Sequence, residues 1–171
     1  MTGVVVRHGQ AGDAARLAVL ASQVWLHTYA DAGISAEIAD YVLDAFTPAR
    51  YAALLTDPGK SVLVAERGGN LLGFAVVAFG QRCPDADAAR AELETLYVQE
   101  HCHRQGLGRA LLRAAENAAR QLAASPLWLT VNSRNTRASA FYLAHGYRKV
   151  GTAEFLLSQT RHANDVLLGT P

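Results

Sequence analysis

The chain has 171 residues, half of them apolar, and its 16 basic and 15 acidic side chains give a formal net charge of +1. This length predicts a single domain over residues 1–171, and the near-zero charge argues against general attraction to nucleic acid or an acidic membrane. The sequence shows no secretion signal and no apolar run of membrane-spanning length, and its two cysteines are too few for a disulfide framework. We therefore expect a cytoplasmic protein that binds neither nucleic acid nor membrane.

Helical periodicity dominates the first third of the chain. A short strand is predicted at 4–7, and apolar residues at helical spacing predict a helix over 12–30. Ser35 and Thr47, the latter followed by proline, are typical helix starts, because a hydroxyl caps the first turn and proline has no N–H to leave unpaired. We therefore expect three helices before Pro58.

Strand patterns begin after Pro58. Two strands are predicted at 61–66 and 71–79, joined by a glycine-rich hairpin at 67–70. Alternating apolar and polar residues then predict a strand over 92–98 with one polar-tipped face. Counted with the first strand, this segment is the fourth strand of the chain.

An amphipathic helix follows Gly108 and connects two strands. The apolar stretch 127–131 predicts a buried strand, so strand, helix and strand form a βαβ unit whose two strands are parallel or nearly so. The predicted buried stripe of the helix contains Leu107, Leu111, Ala114 or Ala115, Ala118 and Leu122.

The last part of the chain is predicted to hold one helix and two strands. Asn135 caps the helix, which ends at Gly146. The two strands are predicted at 147–156 and 165–168, with a polar connection at 158–164. Neither repeats nor low-complexity tracts interrupt these elements.

Gly106 and Gly108 open the helix that follows the fourth strand. Glycines at a helix start let backbone approach a ligand without interference from Cβ, and the unpaired N–H groups there attract phosphate. A dinucleotide fingerprint would need a third glycine where Leu111 stands, and no loop ending in Gly-Lys-Ser or Gly-Lys-Thr occurs. The pattern therefore indicates an anionic, phosphate-containing ligand of another kind.

Three ordered segments resemble the GNAT superfamily of N-acetyltransferases: 92–98, 103–108 and 135–147. The resemblance implies an α+β fold with a mixed twisted sheet, helices on both faces, and acetyl-CoA bound in a split between the fourth and fifth strands. His103 stands where the family usually has Arg or Gln, so we expect backbone amides and Arg104, more than this imidazole, to hold the pyrophosphate. The implied acetyl-CoA contacts are Leu96, Tyr97, Val98, His103, Arg104, Gln105, Gly106, Leu107, Gly108, Arg109 and Asn135.

The resemblance also assigns catalytic roles. Glu92 lies fourteen residues before Gly106, the separation of the general base in the family, and Glu94 projects to the same strand face. We favour Glu92, then Glu94, although both are also typical solvent-facing strand carboxylates. Tyr142 matches the family tyrosine that protonates the departing thiolate, and core packing is its alternative role. Asn135 is explained as a helix cap, a pantetheine contact, or both.

The acceptor is expected to be a small-molecule amine. Trp25, His27 and Tyr29 are the candidate substrate-binding residues. The segments 25–29, 41–46 and 164–168 resemble bacterial polyamine acetyltransferases, and the acidic residues that follow Tyr29 would attract a cationic amine. An aromatic core contact beside a solvated acidic face explains the same residues. A protein α-amine, an aminoglycoside or an amino-acid analogue remains an alternative acceptor, and a non-catalytic acyl-CoA-sensing module is a further alternative.

No metal is expected. His101, Cys102 and His103 are adjacent on a short loop and cannot easily converge on one ion. The sequence leaves the oligomeric state open, with a homodimer as one option.

Overall fold

The computed structural model describes residues 3–157 and 160–170, whose secondary structure alternates between helices and strands. The strands are β1 Val5–His8, β2 Lys60–Arg67, β3 Asn70–Phe79, β4 Ala91–Val98, β5 Leu127–Asn132, β6 Arg148–Leu157 and β7 Thr160–Leu168. The α-helices are α1 Ala14–Tyr29, α2 Ala36–Ala45, α3 Pro48–Thr56, α4 Leu107–Ala123 and α5 Thr136–Ala144. Two 3-10 helices, Ala11–Asp13 and Glu100–Cys102, precede α1 and the loop before α4.

The strands form one mixed sheet in the order β1-β2-β3-β4-β5-β7-β6. The β4 and β5 strands are parallel, with Ala91 opposite Leu127 and Glu92 opposite Trp128. The other pairs with a described register are antiparallel: β1 with β2, β5 with β7, and β6 with β7. A mixed sheet with a parallel β4–β5 pair and accompanying helices confirms the predicted fold class.

Packing divides the chain into two compact units. The first unit contains Met1–Val76 and Thr95–Ala114, and the second contains Val77–Glu94 and Ala115–Pro171. The core of the first unit is an apolar cluster of α1, α3 and the first strands, in which Leu17, Val64 and Phe74 are fully buried. Ser35 accepts a hydrogen bond from Ile38 N, which confirms the predicted cap. The helix predicted to start at Thr47-Pro48 is present, and Thr47 accepts a hydrogen bond from Arg50 N.

A buried carboxylate joins β1, β2 and α1 in the first unit. Asp13 is 1% exposed, and Arg7 Nη1 donates to its Oδ2 at 2.8 Å. Arg16 donates to the same carboxylate, and Arg7 also donates to Glu66. The Arg7 hydrogen bond lowers the pKa of Asp13 against the opposing effect of burial. The charge is therefore compensated inside the unit, as buried charges must be.

The second unit has its own apolar cluster, in which Trp128 of β5 packs with Cys83 and Val166. Trp128 Nε1 donates to the Gln81 carbonyl at 2.9 Å, so the indole is satisfied although buried. Both cysteines of the sequence are shielded, since Cys83 is 2% exposed and Cys102, in the first unit, is 3% exposed.

Two details of the sequence predictions are wrong. The stretch 160–164 was predicted as connection, but β7 begins at Thr160, because polar residues there pair with β6 in a hairpin; Ser158 and Gln159 lie outside the described residues. Leu122 was predicted to be buried but is 65% exposed, while Leu112 and Ala119 are buried instead. No described helix is long and apolar enough to cross a membrane.

Candidate functional site

The predicted site residues are distributed over both units. Glu92, Glu94, Asn135 and Tyr142 belong to the second unit, and the other predicted residues belong to the first. Each group is described within its own unit.

Glu92 and Glu94 lie on β4 on either side of Leu93. Leu93 is 4% exposed, so the strand turns this side chain to the core and presents the two carboxylates on its other face. Glu92 is half-buried and stands opposite Trp128 in the parallel register, whereas Glu94 is exposed. Partial burial makes Glu92 the less hydrated of the two carboxylates.

The last residues of β4 lie against β3. Leu96, Tyr97 and Val98 are half-buried, and the Tyr97 ring packs edge-on to Phe74 with centroids 5.6 Å apart. Gly73 of β3 permits this approach, since a Cβ there would lie 2.6 Å from the Tyr97 carbonyl oxygen. A glycine is required where two backbones come this close.

The glycine loop leads directly into α4. Arg104 and Gly106 have positive φ angles of 62° and 82°, and an added Cβ on Gly106 would meet nothing within 4 Å. Arg104, Gln105, Gly106 and Arg109 are exposed, whereas Leu107 is 3% exposed and anchors the helix in the core. Gly108 is half-buried in the first turn of α4. An open glycine, two arginines and a helix amino terminus fit a bound pyrophosphate.

Side chains of the loop also brace it from within. Gln105 Oε1 accepts from Arg67 Nη2 at 3.1 Å, and Gln105 Nε2 donates to the His101 carbonyl at 3.1 Å. His103 Nε2 lies 2.8 Å from the Val98 carbonyl oxygen. The loop is therefore tied to β2 and to the end of β4 by its own side chains.

Asn135 and Tyr142 lie on α5 in the second unit. Asn135 Oδ1 accepts from Ala138 N at 3.1 Å, which confirms its capping role. Tyr142 is 8% exposed, with its ring centroid 5.2 Å from that of Phe141 and 5.6 Å from that of Tyr147. Burial raises the pKa of the Tyr142 phenol. The phenol is therefore protonated throughout the neutral range.

Sequence reasoning did not single out Ser139 of α5. Its Oγ is buried and has no hydrogen-bond partner within the part of the chain that the structure describes. Ser139 lies one helical turn before Tyr142. In the sequence, Ser139 is distinguished only by its position four residues after Asn135 and three before Tyr142. Many ordinary helix serines have such neighbours.

Trp25 forms the centre of an aromatic cluster. It is 6% exposed, and its ring centroid lies 4.9 Å from that of Tyr29, 4.7 Å from Tyr41 and 6.3 Å from Phe46. Tyr29 is 44% exposed. Trp25 is thus a packing residue, and Tyr29 carries the accessible part of the cluster.

The acidic residues that follow α1 face solvent. Asp31, Glu37, Asp40 and Asp44 are all exposed, and Asp44 Oδ2 lies 2.9 Å from Arg50 Nη2. Four exposed carboxylates within fourteen residues create a local negative potential, although the net charge of the whole chain is close to zero.

His27 reaches the end of β4 through Glu100. His27 Nε2 lies 3.4 Å from Glu100 Oε2, which also lies 3.2 Å from His103 Nδ1. These three residues line a cleft of about 90 Å³ together with Gln23, Val24, Thr28, Val98 and His101. Within the described residues, no group of three or more His, Cys, Asp or Glu side chains is arranged to hold a metal ion. The expectation that no metal is used stays a prediction.

The family comparison agrees with the loop and strand geometry. The family model for the acetyltransferase (GNAT) family matches residues 23–147, which include the end of α1 and all of β4, the glycine loop and α5. The chain belongs to this family. As a GNAT protein it is an acetyl-CoA-dependent N-acetyltransferase, so the non-catalytic alternative is set aside.

Similar proteins of bacteria are also acetyltransferases. An uncharacterised N-acetyltransferase of Mycobacterium tuberculosis is 32% identical over 156 residues, 91% of this chain and 96% of the relative. The N-alpha-acetyltransferase RimI of that organism is 31% identical over 127 residues, 72% of this chain and 77% of RimI. Streptothricin acetyltransferase of Streptomyces lavendulae is 35% identical over 85 residues, half of this chain and 40% of that protein.

A solved structure resembles the GNAT fold of this chain along its length. The PaiA N-acetyltransferase of Thermoplasma acidophilum, in complex with coenzyme A, matches with a TM-score of 0.80 over 99% of both chains. Its sequence identity is 18%, so the likeness concerns the fold alone.

Proposed function

We propose that the protein transfers the acetyl group of acetyl-CoA to a primary amine of a small-molecule acceptor, with polyamines as the first candidates. The observation that carries the donor half is the glycine loop. Gly106 is open to solvent with a positive φ, and Arg104 and Arg109 are exposed beside the amino terminus of α4. This combination supports pyrophosphate binding by backbone N–H groups and two cations.

We assign the role of general base to Glu92, with Glu94 as the second candidate. An amine acceptor is mostly protonated at neutral pH, because the reference pKa of a lysine-like ammonium is ~10.4. A carboxylate on β4 accepts that proton directly or through water and leaves a neutral nucleophile. Glu92 is preferred because its separation from Gly106 matches that of the family's general base, and its side chain is half-buried whereas that of Glu94 is exposed.

Tyr142 is assigned as the acid that protonates the thiolate. Burial raises its pKa, so the phenol is protonated at neutral pH and holds a proton to donate as the thiolate departs. The β4 backbone at Tyr97 and Val98 is proposed to bind the pantetheine arm as an added strand does and to polarise the thioester carbonyl. Asn135 is proposed as a further contact of that arm, in addition to its capping role.

The acceptor side is proposed to include His27, Tyr29 and the acidic residues of α2. Exposed carboxylates such as Asp40 attract polycations over a distance of about a Debye length, ~8–10 Å at physiological salt. Trp25 supports the surface from beneath by packing against Tyr29. A polyamine, which carries several positive charges, gains most from this arrangement.

A protein amino terminus is the second candidate acceptor. The match of 31% identity to the N-alpha-acetyltransferase RimI over 72% of the chain favours it. The match to streptothricin acetyltransferase, which covers 50% of this chain, favours an antibiotic amine as a further candidate.

Thiol release from acetyl-CoA against a panel of amines tests the proposal. The panel contains spermidine, spermine, amino acids, aminoglycosides, a streptothricin and peptides with a free amino terminus. We expect the highest kcat/KM with a polyamine, and a peptide or antibiotic optimum would overturn this choice of acceptor. Glu92→Gln and Glu94→Gln form a matched pair: loss of kcat in the first variant with near wild-type kcat in the second supports Glu92 as the base.

A further inference from the structure

Both ring nitrogens of His103 lie close to acceptor oxygens of the protein, although His103 stands in the glycine loop. Its Nε2 lies 2.8 Å from the Val98 carbonyl oxygen, and since a carbonyl accepts, Nε2 carries the hydrogen and donates it. Its Nδ1 lies 3.2 Å from Glu100 Oε2. Both nitrogens are thus committed to the end of β4 and the 3-10 helix, and neither is directed to a loop ligand in this arrangement.

The peptide group between Val98 and Gln99 is held at both ends. Its carbonyl accepts from His103, and its N–H donates to the Leu72 carbonyl on β3 at 2.9 Å. A peptide bonded at both its donor and its acceptor cannot rotate without breaking one of these bonds. The His103 side chain therefore helps to fix the orientation of the Val98–Gln99 peptide plane at the end of β4.

Glu100 connects this arrangement to α1. Its Oε2 approaches His103 Nδ1 at 3.2 Å and His27 Nε2 at 3.4 Å. A carboxylate between two imidazoles accepts a hydrogen bond from either ring. The end of β4, the 3-10 helix and α1 are thereby joined through side chains of one compact unit.

We infer that His103 is a positioning residue of the acetyl-CoA site, which acts through the Val98–Gln99 peptide and not through contact with phosphate. This inference rests on the proposed function in one respect, namely that the pantetheine arm lies along Leu96, Tyr97 and Val98. An imidazole that held pyrophosphate would affect the phosphate end of acetyl-CoA. An imidazole that orients the end of β4 affects the pantetheine end, which also exists in smaller donors.

Comparison of acetyl-CoA with S-acetylpantetheine separates the two roles, because the second donor has no phosphate. The kcat/KM of His103→Ala is measured with each donor from initial slopes below saturation. Loss of one hydrogen bond typically weakens binding about fivefold, so we expect a decrease of about that factor with both donors. His103→Gln, whose side-chain amide also donates, should recover most of the wild-type value with both donors.

Arg104→Ala is the matched control in the same loop. Its side chain is exposed, and we expect it to lower kcat/KM with acetyl-CoA and to leave the value with S-acetylpantetheine unchanged. If His103→Ala shows that same selective pattern, His103 contacts phosphate and the inference is overturned. Equal losses in His103→Gln and His103→Ala overturn it as well, and this comparison stays decisive if the alanine variant folds poorly.

The test also separates this inference from the proposed function. If the wild-type enzyme transfers acetyl groups only to acceptors other than small amines, the proposed acceptor fails and the donor comparison still decides the role of His103. If S-acetylpantetheine turns over too slowly, competitive inhibition by millimolar pantetheine against acetyl-CoA replaces it. A weaker pantetheine inhibition constant in His103→Ala then supports the inference, and an unchanged constant contradicts it.

Discussion

Substitution of Gly73 on β3 by alanine adds one methyl group and tests how closely the end of β4 packs against β3. In Gly73→Ala the new Cβ would lie 2.6 Å from the Tyr97 carbonyl oxygen, 3.1 Å from Val98 Cγ2 and 3.2 Å from Leu111 Cδ1. Real Cβ contacts essentially never fall below 3.0 Å, and the closest atom belongs to the backbone. The end of β4 must therefore move away from β3, since no side-chain rotation relieves the contact.

Two magnitudes follow from this displacement. Overpacking of a close-packed interior costs about 1–3 kcal/mol. For a domain of this size ~1 kcal/mol corresponds to a change of ~2–4 °C in Tm, so a cost of ~2 kcal/mol lowers Tm by ~4–8 °C. If one or two backbone hydrogen bonds to pantetheine are also lost, at ~1 kcal/mol each, the KM for acetyl-CoA rises by about five- to thirtyfold.

Gly12→Ala is the control for this experiment. An added Cβ at Gly12 meets nothing within 4 Å, so the same chemical change should leave both Tm and KM near the wild-type values. Thermal unfolding gives Tm, and initial rates at a temperature well below the transition of the variant give KM. A wild-type Tm in Gly73→Ala would refute the packing argument. A lower Tm with an unchanged KM would support the packing argument and would contradict a role of the end of β4 in acetyl-CoA binding.

Three further predictions concern other parts of the chain. Because the pKa of Asp13 is lowered on folding, its contribution to stability is present above its unfolded pKa of ~3.9 and is lost as pH falls through the folded pKa. Asp13→Asn should reduce the free energy of unfolding at pH 7 by about 3 kcal/mol in urea titrations and flatten this acid dependence. Tyr142→Phe should lower kcat by about a hundredfold while the calorimetric Kd for acetyl-CoA stays unchanged. Asp40→Lys should raise the KM for spermidine by about threefold at low salt, with a smaller effect at high salt.

Each of these predictions has a contrary outcome. An Asp13→Asn variant as stable as wild type at pH 7 would mean that the buried ion pairs contribute little. Wild-type turnover in Tyr142→Phe would remove the phenol from the mechanism. Asp44→Lys is the comparison for Asp40→Lys, since Asp44 pairs with Arg50. Insensitivity of the spermidine KM to both reversals would contradict the proposed acceptor surface.

Local signals in the sequence predicted most elements of the fold. Ser35 and Asn135 each form the predicted side-chain cap, because capping depends on residues three positions apart. The β7 strand was predicted too short, since its polar first residues carry no strand pattern and are held by pairing with β6. Leu122 follows the helical period and yet is exposed, because burial near the end of a helix depends on what packs there.

The candidate site could be predicted in part. The ordered segments 92–98, 103–108 and 135–147 predicted the family, and family membership is confirmed. The roles assigned to Glu92 and Tyr142 stay predictions. The neighbours of the His103 ring nitrogens, Val98 and Glu100, could not be predicted from the sequence, because they depend on how the backbone folds between residues 98 and 103. The burial of Trp25 was likewise open, since an aromatic residue on an amphipathic helix fits both the core and a pocket.

Burial of Cys83 and Cys102 protects acetyl transfer from a side reaction. A thioester donor reacts with any accessible thiolate, and an exposed cysteine would collect the acetyl group and lose it to water or another thiol. With both cysteine thiols shielded, the protein offers acetyl-CoA no accessible cysteine thiol. The same shielding means that thiol-reactive dyes added during turnover report released coenzyme against little background from the native enzyme.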